Sequence, residues 1–264
     1  MKHLLASEYS QVLPLNRCQY QVFCDFDGTL VNIASAPHKI YVNEYIPRLL
    51  SDLDEKCQFC IVSGRALKDL QNYLPISEFN VYGCHGAEFS PKGQGCDKDP
   101  CVNELLQSVE LMLGDILFQY PGVMIEEKPY SIAIHYRSYN GDEQDLKRTL
   151  EGIVSSFPGQ LKLLAGKKVF EFCLCNINKG VAVSDYINKQ SKVSRKSSGV
   201  MTIFVGDDVT DEAGFKTINA LNGISIRVGR IKDSAAQYYV DDIYEVHALL
   251  EYLSQSHSIN SPVN

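Results

Sequence analysis

Short apolar runs alternate along this chain with segments whose apolar residues recur at helical spacing. The clearest runs of strand length are Tyr20–Cys24, Gln58–Val62, Asn80–Gly83 and Met201–Val205. Such alternation is typical of βαβ units and predicts an α/β fold with a mostly parallel, Rossmann-like sheet flanked by helices. Three of these runs lead directly into polar residues. Because parallel strands end at one edge of a sheet, and ligands bind there, we expect a functional site at that edge.

The pattern changes between about residues 98 and 175. Helical periodicity around Asn103–Phe118 and Glu143–Phe157 alternates with strand pairs through Val123–Tyr136 and Leu161–Leu174. The segment Ser131–Tyr136 alternates apolar and polar residues, which is typical of an antiparallel sheet with one exposed face. We therefore predict a smaller α+β domain at 98–175, inserted between core segments 1–97 and 176–264. Inserted in this way, it could close over the sheet edge as a lid.

Composition narrows the classes of protein that fit. The chain has 264 residues, 45% hydrophobic and 22% charged, with a net charge of −7. It has no basic run, which argues against a nucleic-acid or anionic membrane partner. No apolar stretch approaches a membrane span, and the amino-terminal segment does not resemble a signal peptide, so we predict a cytoplasmic protein. The nine cysteines lie mostly in apolar runs, as expected for buried thiols in a reducing compartment.

An acidic pair follows the first strand, in the segment Asp25-Phe26-Asp27-Gly28-Thr29. The direction of the Asp25 and Asp27 side chains would follow the pleat of the strand only if the strand continued through them. Gly28 allows the chain to turn into a loop instead, and in this loop both carboxylates can face one site. Paired carboxylates bind hard cations or divide the roles of nucleophile and acid–base catalyst. The alternative is an ordinary Asp-Gly turn with solvated acids.

Two further segments offer groups that bind anions. Ser63-Gly64-Arg65 follows the second strand and precedes the predicted helix Ala66–Tyr73, so Ser63 is either part of an anion seat or a helix cap. Lys179 begins another predicted helix, where the helix dipole disfavours a cation. That cost suggests an anionic partner for Lys179, although taken alone this residue is interpreted as a solvated surface lysine.

The last polar segment, Gly206–Glu212, holds Asp207, Asp208, Asp211 and Glu212 directly after an apolar strand. Acids at this density repel one another unless a divalent cation is present. Alternatively, acids are favoured at the start of a helix by its dipole.

Taken together, these segments resemble the haloacid dehalogenase-like phosphotransferase superfamily, with DxDGT, a serine, a lysine and GDDxxD in that order. Gly83–Glu88, Gly206–Glu212 and Pro37 narrow the resemblance to the trehalose-6-phosphate phosphatases. In the inserted segment, Glu126-x-Lys128, His135–Arg137 and Gly166–Glu171 are similar to the family's sugar-contacting segments. Cys173-Leu174 stands where the family usually has an Arg-Pro or Lys-Pro pair.

The resemblance implies a set of roles. Asp25 would be the nucleophile that forms an aspartyl-phosphate, Asp27 the acid–base catalyst, and Ser63 and Lys179 the groups that bind the phosphate oxygens. Mg²⁺ would be held by the Asp25 carboxylate, the Asp27 backbone carbonyl and Asp207. Asp208 and Asp211 would contact these ligands or Lys179 rather than the ion. Substrate contacts would come from Thr29, Arg65, His85, Glu126, Lys128, Arg137, Lys167 and Glu171.

The expected function is therefore Mg²⁺-dependent hydrolysis of trehalose 6-phosphate, with a trehalose-phosphate synthase as a pathway partner. Related alternatives are phosphatases of sucrose 6-phosphate or mannosyl-3-phosphoglycerate, and a phosphomannomutase. A noncatalytic sugar-phosphate sensor is an alternative of another class, although such a sensor would not need an acidic nucleophile. A dinucleotide-binding enzyme is disfavoured because no G-x-G-x-x-G turn follows the first strand.

Overall fold

A computed structural model describes residues 1–16, 18–34, 39–93, 97–98, 100–128, 130–166, 168–193 and 199–256. Pro37 and Lys167, which the sequence analysis singled out, lie outside these residues. The chain forms two compact units, Met1–Asp97 with Asn178–Asn264, and Lys98–Ile177. The second unit corresponds to the segment predicted as an inserted domain at 98–175.

The first unit is built on a mixed sheet of nine strands in the order β1-β13-β12-β11-β2-β3-β4-β5-β6. The pairs from β1 through β4 are parallel, and β5 pairs with β4 in the antiparallel direction. The strands are β1 (Lys2–His3), β2 (Gln19–Cys24), β3 (Gln58–Val62), β4 (Asn80–Gly83), β5 (Glu88–Ser90), β6 (Asp97–Lys98), β11 (Val200–Gly206), β12 (Ile224–Val228) and β13 (Tyr238–Val240). This confirms the predicted fold class.

Helices cover both faces of this sheet because its central strands are apolar on both sides. Val22 and Cys24 of β2 belong to one buried cluster together with residues of α2 and α8, whereas Phe23 belongs to a second cluster with residues of α6 and α7. The helices of this unit are α1 (Tyr9–Val12), α2 (Tyr45–Asp54), α3 (Leu67–Leu70), α6 (Lys179–Val193), α7 (Glu212–Ala220) and α8 (Ile243–Ser254).

The register of the parallel strands brings the polar segments to one edge. Cys24 at the end of β2 lies opposite Val205 of β11 on one side and Ile61 of β3 on the other. The backbone N–H of Asp25 donates to the carbonyl of Val205 over 2.9 Å, which extends this pairing by one residue. The acidic pair, the segment after β11 and the serine after β3 therefore emerge side by side.

The second unit contains an antiparallel sheet in the order β7-β8-β10-β9. Its elements are α4 (Pro100–Leu117), β7 (Met124–Lys128), β8 (Ser131–His135), α5 (Glu143–Ser155), β9 (Leu161–Gly166) and β10 (Val169–Leu174). Ile132, Ile134, Phe170 and Phe172 are buried on one face of this sheet. The other face carries Glu126 of β7 and Glu171 of β10. Both lie opposite Ala133 of β8, which stands between them. The expected alternation of an apolar and a polar face is thus observed.

The predicted helix Ala66–Tyr73 is much shorter than expected, since α3 covers only Leu67–Leu70. Pro75 disfavours helical backbone at the residue before it, so the chain leaves the helix in a series of turns. None of the described helices is both long and apolar enough to cross a membrane.

Candidate active site

A cavity of about 600 Å³ opens at the edge where β2, β3 and β11 end. Both members of the acidic pair, Asp25 and Asp27, line it. The other described lining residues are Ile33, Ala34, Gly64, Arg65, Asp69, His85, Lys179, Asp207, Asp208 and Thr210. The sheet register thus collects in one cavity residues that are far apart in the sequence.

Lys179 lies at the base of this site with its side chain only 2% exposed. Its Nζ is 2.7 Å from Oδ1 of Asp25 and 2.6 Å from Oδ1 of Asp211. A buried ammonium group requires such partners because desolvation of an unpaired charge is costly. The anionic partner suggested by the position of Lys179 at the start of α6 is therefore present twice, and Lys179 is not a surface lysine.

Asp211 is fixed from two sides. Its Oδ1 accepts from Lys179, while its Oδ2 accepts the backbone N–H groups of Asp207 and Asp208, each over 2.9 Å. The side chain of Asp211 is completely buried. Asp208 and Asp211 also form a reciprocal capping box at the turn that leads into α7. The helix-cap interpretation of this acidic segment is therefore confirmed, and the divalent cation expected there stays a prediction.

This buried cluster contains more carboxyl groups than ammonium groups. The pKa values of Asp25, Asp207 and Lys179 are all raised. Burial raises the pKa of Asp25 well above its usual range, although the charge of Lys179 acts in the opposite direction. Burial and the neighbouring Asp211 likewise raise the pKa of Asp207. Burial alone would lower the pKa of Lys179, but the two carboxylates together raise it above its ordinary value. The cluster therefore carries more negative charge than Lys179 compensates.

The donor set fits a divalent cation. One carboxylate oxygen from each of Asp25, Asp207 and Asp211 lies within 4.8 Å of the others. Oδ1 of Asp207 is buried and has no hydrogen-bond partner in the described part of the chain. Buried polar atoms are normally satisfied, so an orphaned carboxylate oxygen in an acidic cluster indicates a place for a cation. Oxygens of Asp25 and Asp207 that lie within 4.8 Å of each other are close enough to bind one ion.

The loop after β2 depends on a glycine. Gly28 has φ +74°, and a Cβ atom at this position would overlap the carboxylate of Asp207. The loop is closed by the N–H of Gly28, which donates to the carbonyl of Val31 over 2.7 Å. Gly28 thus permits the close approach of the first acidic segment to the last one, as expected from its position after Asp27.

Arg65 forms a planar pair with Asp27. Its Nε and Nη2 atoms donate to the two carboxylate oxygens of Asp27 over 2.6 and 2.9 Å, and its Nη1 donates to Asp69 over 2.5 Å. The guanidinium lies 5.3 Å from the ring centre of Tyr73 and 6.0 Å from that of Phe26. The side chain predicted to contact substrate is therefore engaged with the predicted acid–base residue, and its substrate contact stays a prediction.

Ser63 and Thr29 are fully buried, and neither is among the described residues that line the cavity. The hydroxyl of Ser63 accepts the backbone N–H of Arg65 over 3.1 Å, which forms a turn rather than a cap of α3. A serine hydroxyl that accepts this bond still has its own hydrogen to donate. The Thr29 hydroxyl has no hydrogen-bond partner among the described residues. Their contacts with a phosphate group stay predictions.

His85 reaches the cavity from a strained turn after β4. Cys84 and His85 both have positive φ angles, 47° and 58°, which residues with a Cβ rarely adopt. The N–H of His85 donates to the carbonyl of Ser63 over 2.9 Å, and its ring fills the space beside Gly64. The turn thereby holds an imidazole against the segment that carries Arg65.

The candidate residues of the inserted unit lie on the open face of its sheet. Nζ of Lys128 is 3.0 Å from Oε1 of Glu171, and Nε2 of His135 is 2.7 Å from Oε2 of Glu126. Arg137 is exposed just beyond β8. Lys128 and Glu171 therefore form a partly exposed charge pair, and Glu126 is hydrogen-bonded to His135.

Comparison with known proteins identifies the family. The trehalose-phosphatase family model matches residues 23–243. A probable trehalose-phosphate phosphatase of Sinorhizobium fredii is 30% identical, over 85% of this chain and 83% of that protein. The chain belongs to the trehalose-phosphatase family. This confirms the family resemblance inferred from the motifs.

Two further comparisons concern the sequence and the fold separately. The trehalose-6-phosphate phosphatase of Escherichia coli is 29% identical over 80% of this chain and 78% of that protein. A trehalose-6-phosphate phosphatase structure from Aspergillus fumigatus matches with a TM-score of 0.79 over 96% of this chain and 98% of that chain. At 19% identity, this second match supports the fold alone.

One residue of this trehalose-phosphatase family member escaped the sequence analysis although it supports the acidic cluster directly. Arg227 of β12 is 6% exposed and donates to the backbone carbonyls of Asp207 and Asp208, and to Glu212 at 3.4 Å. A single charged residue inside the short strand Ile224–Val228 was the available signal, because a buried arginine needs several acceptors.

Glu88 is a second residue whose role was missed. It is 7% exposed, and its Oε2 accepts the N–H of Leu67 at the start of α3 over 2.7 Å. This N–H belongs to the segment after Ser63 where an anion seat was expected. In this trehalose-phosphatase family member the carboxylate of Glu88 binds the N–H. The short segment Gly83–Glu88 does not by itself reveal this contact.

Proposed function

We propose that this protein is a Mg²⁺-dependent phosphatase that hydrolyses trehalose 6-phosphate to trehalose and inorganic phosphate. The observation that carries the chemistry is the buried lysine between two carboxylates, Lys179 between Asp25 and Asp211, with the unpartnered oxygen of Asp207 beside them. Membership of the trehalose-phosphatase family supports the substrate. Phosphoryl transfer requires positioning and neutralisation of charge, and this cluster supplies groups for both.

In the first step, a carboxylate oxygen of Asp25 attacks the phosphorus atom, and the bond from phosphorus to the sugar oxygen breaks. Asp27 gives its proton to that departing oxygen, so a neutral sugar leaves and an aspartyl-phosphate remains. Lys179 orients Asp25 through Oδ1 and contributes positive charge next to the transferred group. One difficult hydrolysis is thereby divided into two easier displacements.

In the second step, Asp27 accepts a proton from a water molecule whose oxygen attacks phosphorus. The bond to Asp25 breaks, inorganic phosphate is released, and both carboxyl groups return to their starting forms. The paired hydrogen bonds from Arg65 hold both carboxylate oxygens of Asp27 in place. We therefore assign Arg65 a positioning role.

The residues suited to holding Mg²⁺ are the carboxylates of Asp25 and Asp207 and the backbone carbonyl of Asp27. Ligands that are all oxygen atoms are typical of Mg²⁺ rather than of softer metals. When bound, the ion supplies positive charge that stabilises the oxygens of the transferred phosphoryl group. Asp211 is already engaged by Lys179 and two amides, so it acts as a support for this site.

The sugar hydroxyls are recognised by the open face of the inserted unit's sheet. A disaccharide offers many donors and acceptors, and Glu126, Lys128 and Glu171 provide both kinds of partner. Arg137 adds further donors, and Lys167 lies in the same predicted segment. Because these charges are partly exposed, their present pairs can be exchanged for hydroxyl groups at little cost.

The proposal extends to the compartment and to the pathway. Cys24, Cys57 and Cys60 are buried thiols outside any disulfide, which supports a reducing compartment such as the cytoplasm. An enzyme that joins glucose units while retaining the phosphate, a trehalose-phosphate synthase, would supply the substrate.

A panel of sugar phosphates at fixed Mg²⁺ tests the function. We expect the highest kcat/KM for trehalose 6-phosphate, with lower values for sucrose 6-phosphate, mannosyl-3-phosphoglycerate and glucose 6-phosphate. Equal or faster turnover of another member would reject the substrate assignment. Binding of trehalose 6-phosphate without release of phosphate would instead favour a noncatalytic sensor.

A further inference from the structure

A second cavity lies beside the segment that follows the catalytic loop, on the face of the core covered by α2 and α8. Its volume is about 430 Å³, and its walls come from Leu30–Asn32, from Tyr41 and Asn43, and from the facing sides of the two helices. Among the residues that the structure describes, this cavity shares no lining residue with the active-site cavity. The proposed phosphatase chemistry does not use it.

The cavity has an apolar floor and an aromatic rim. Leu30, Val31 and Ile46 at the floor are at most 3% exposed. The rim contains Tyr45 and Tyr244, which both contact the imidazole ring of His247. The Tyr45 ring is inclined by 60° to that imidazole with centroids 5.6 Å apart, and the Tyr244 ring by 82° at 6.3 Å. Rings inclined in this way form separate walls rather than one stack.

The polar groups of the cavity are acidic or neutral. The described lining includes Glu251 and contains neither lysine nor arginine. The hydroxyl of Tyr45 donates to Oε1 of Glu251 over 2.8 Å, and burial together with this bond raises the pKa of Tyr45 to about 12. Nε2 of His247 lies 2.9 Å from the carbonyl oxygen of Leu30, so the ring donates there. The described lining offers Glu251 and no lysine or arginine, which disfavours an anionic ligand.

We propose that this cavity binds a methylated organic ammonium ion of the choline type. Aromatic faces attract cations, and recognition of quaternary ammonium groups by several rings is a common use of that attraction. The methyl groups would lie on the apolar floor, while Glu251 would compensate the positive charge. A primary ammonium is more strongly hydrated and lacks methyl groups for the floor, so it fits less well.

The test compares choline with its neutral isostere, 3,3-dimethylbutan-1-ol, by calorimetric or NMR titration of the full chain. Both have the same shape, but only choline carries a charge. We expect saturable binding of choline, with the isostere weaker by about 2- to 30-fold, which is the range of a cation–π contribution. Equal affinity of the two compounds, or no saturable binding of choline, would overturn the proposal.

Variants locate the site. Tyr244→Leu removes one wall and Glu251→Gln removes the charge, and each should weaken choline binding by about 3-fold or more. Phe118→Leu, which removes an equally exposed ring in the inserted unit, should leave the affinity unchanged. If Tyr244→Leu and Glu251→Gln bind choline as the parent does, the cavity is not the site. Because the measurement is of binding, its result is independent of phosphatase activity.

Discussion

The two units of this protein use the same kind of charge pair in opposite surroundings. In the core, the side chains of Lys179 and Asp211 are 2% and 0% exposed, and Nζ of Lys179 lies 2.6 Å from Oδ1 of Asp211. In the inserted unit, the side chains of Lys128 and Glu171 are 39% and 30% exposed, and Nζ of Lys128 lies 3.0 Å from Oε1 of Glu171. The distances are similar, but water screens the second pair and not the first.

The difference shows how burial separates two tasks. A buried pair holds reacting groups in one arrangement, because breaking it would leave an uncompensated charge without water. An exposed pair costs little to break, so its members can turn to other hydrogen-bonding partners. This difference supports the proposal that the core positions the phosphate chemistry and that the open sheet face recognises the sugar hydroxyl groups.

The largest expected effect follows from changing the nucleophile of the buried cluster. Asp25→Asn keeps the shape of the side chain but removes its nucleophilic oxygen, so kcat should fall by at least about 10³-fold. Binding of trehalose 6-phosphate, measured by calorimetry, should be largely kept. Asp52→Asn on the exposed side of α2 is the control. An unchanged rate in Asp25→Asn would refute the assigned nucleophile.

The comparison is tested most directly by removing one lysine from each pair. Lys179→Met leaves Asp25 and Asp211 buried without their cation, and should lower the free energy of unfolding by about 3–5 kcal/mol. Lys128→Met should lower it by no more than about 1 kcal/mol. Urea denaturation measures both. Similar losses in the two variants would contradict the distinction drawn between the units.

A smaller effect on stability is expected from changing Arg227, which supports the backbone of the acidic cluster. Arg227→Met removes charge-assisted hydrogen bonds to the carbonyls of Asp207 and Asp208, which should cost about 2 kcal/mol of stability. It should also weaken Mg²⁺ binding about 10-fold, since Asp207 loses its backbone support. Thermal shifts at increasing Mg²⁺ measure both quantities. Arg230→Met, at an exposed position, is the control, and equal responses would argue against this role.

The smallest effect is expected on the open sheet face. Glu126→Gln removes a charged acceptor for sugar hydroxyls and should raise KM for trehalose 6-phosphate about 5-fold, with little change in kcat. Turnover of p-nitrophenyl phosphate, which lacks the sugar, should be unaffected. Glu127→Gln is the matched control because Glu127 lies on the opposite face of β7. A fall in kcat for both substrates would point to a structural role.

Lys179 illustrates how far local sequence rules lead. Its position at the start of a helix suggested an anionic partner but was also compatible with a solvated surface lysine, and the structure shows two carboxylate partners. The identity of the partners was not predictable in the same way, because Asp25 follows β2 and Asp211 follows β11. Only the register between these strands brings them to the same lysine.

Arg65 illustrates a contact that local rules do not reach. The family resemblance implied contact with substrate, which stays a prediction, and in the structure the guanidinium binds Asp27 and Asp69. Asp69 is recognisable from spacing alone, since it lies four residues after Arg65. Asp27 comes from another strand, and no local pattern connects the two.

By itself, the amino-acid sequence determined the alternation of strands and helices, the position of the inserted unit and the chemical types available at each strand end. These features depend on periodicity and on short motifs, which are local. The tertiary structure decided which charges are buried, which acid each base contacts, and that Arg227 supports Asp207 from a neighbouring strand. Such contacts join residues distant in the chain, and their strength depends on exclusion of water, which exists only once the layers have packed.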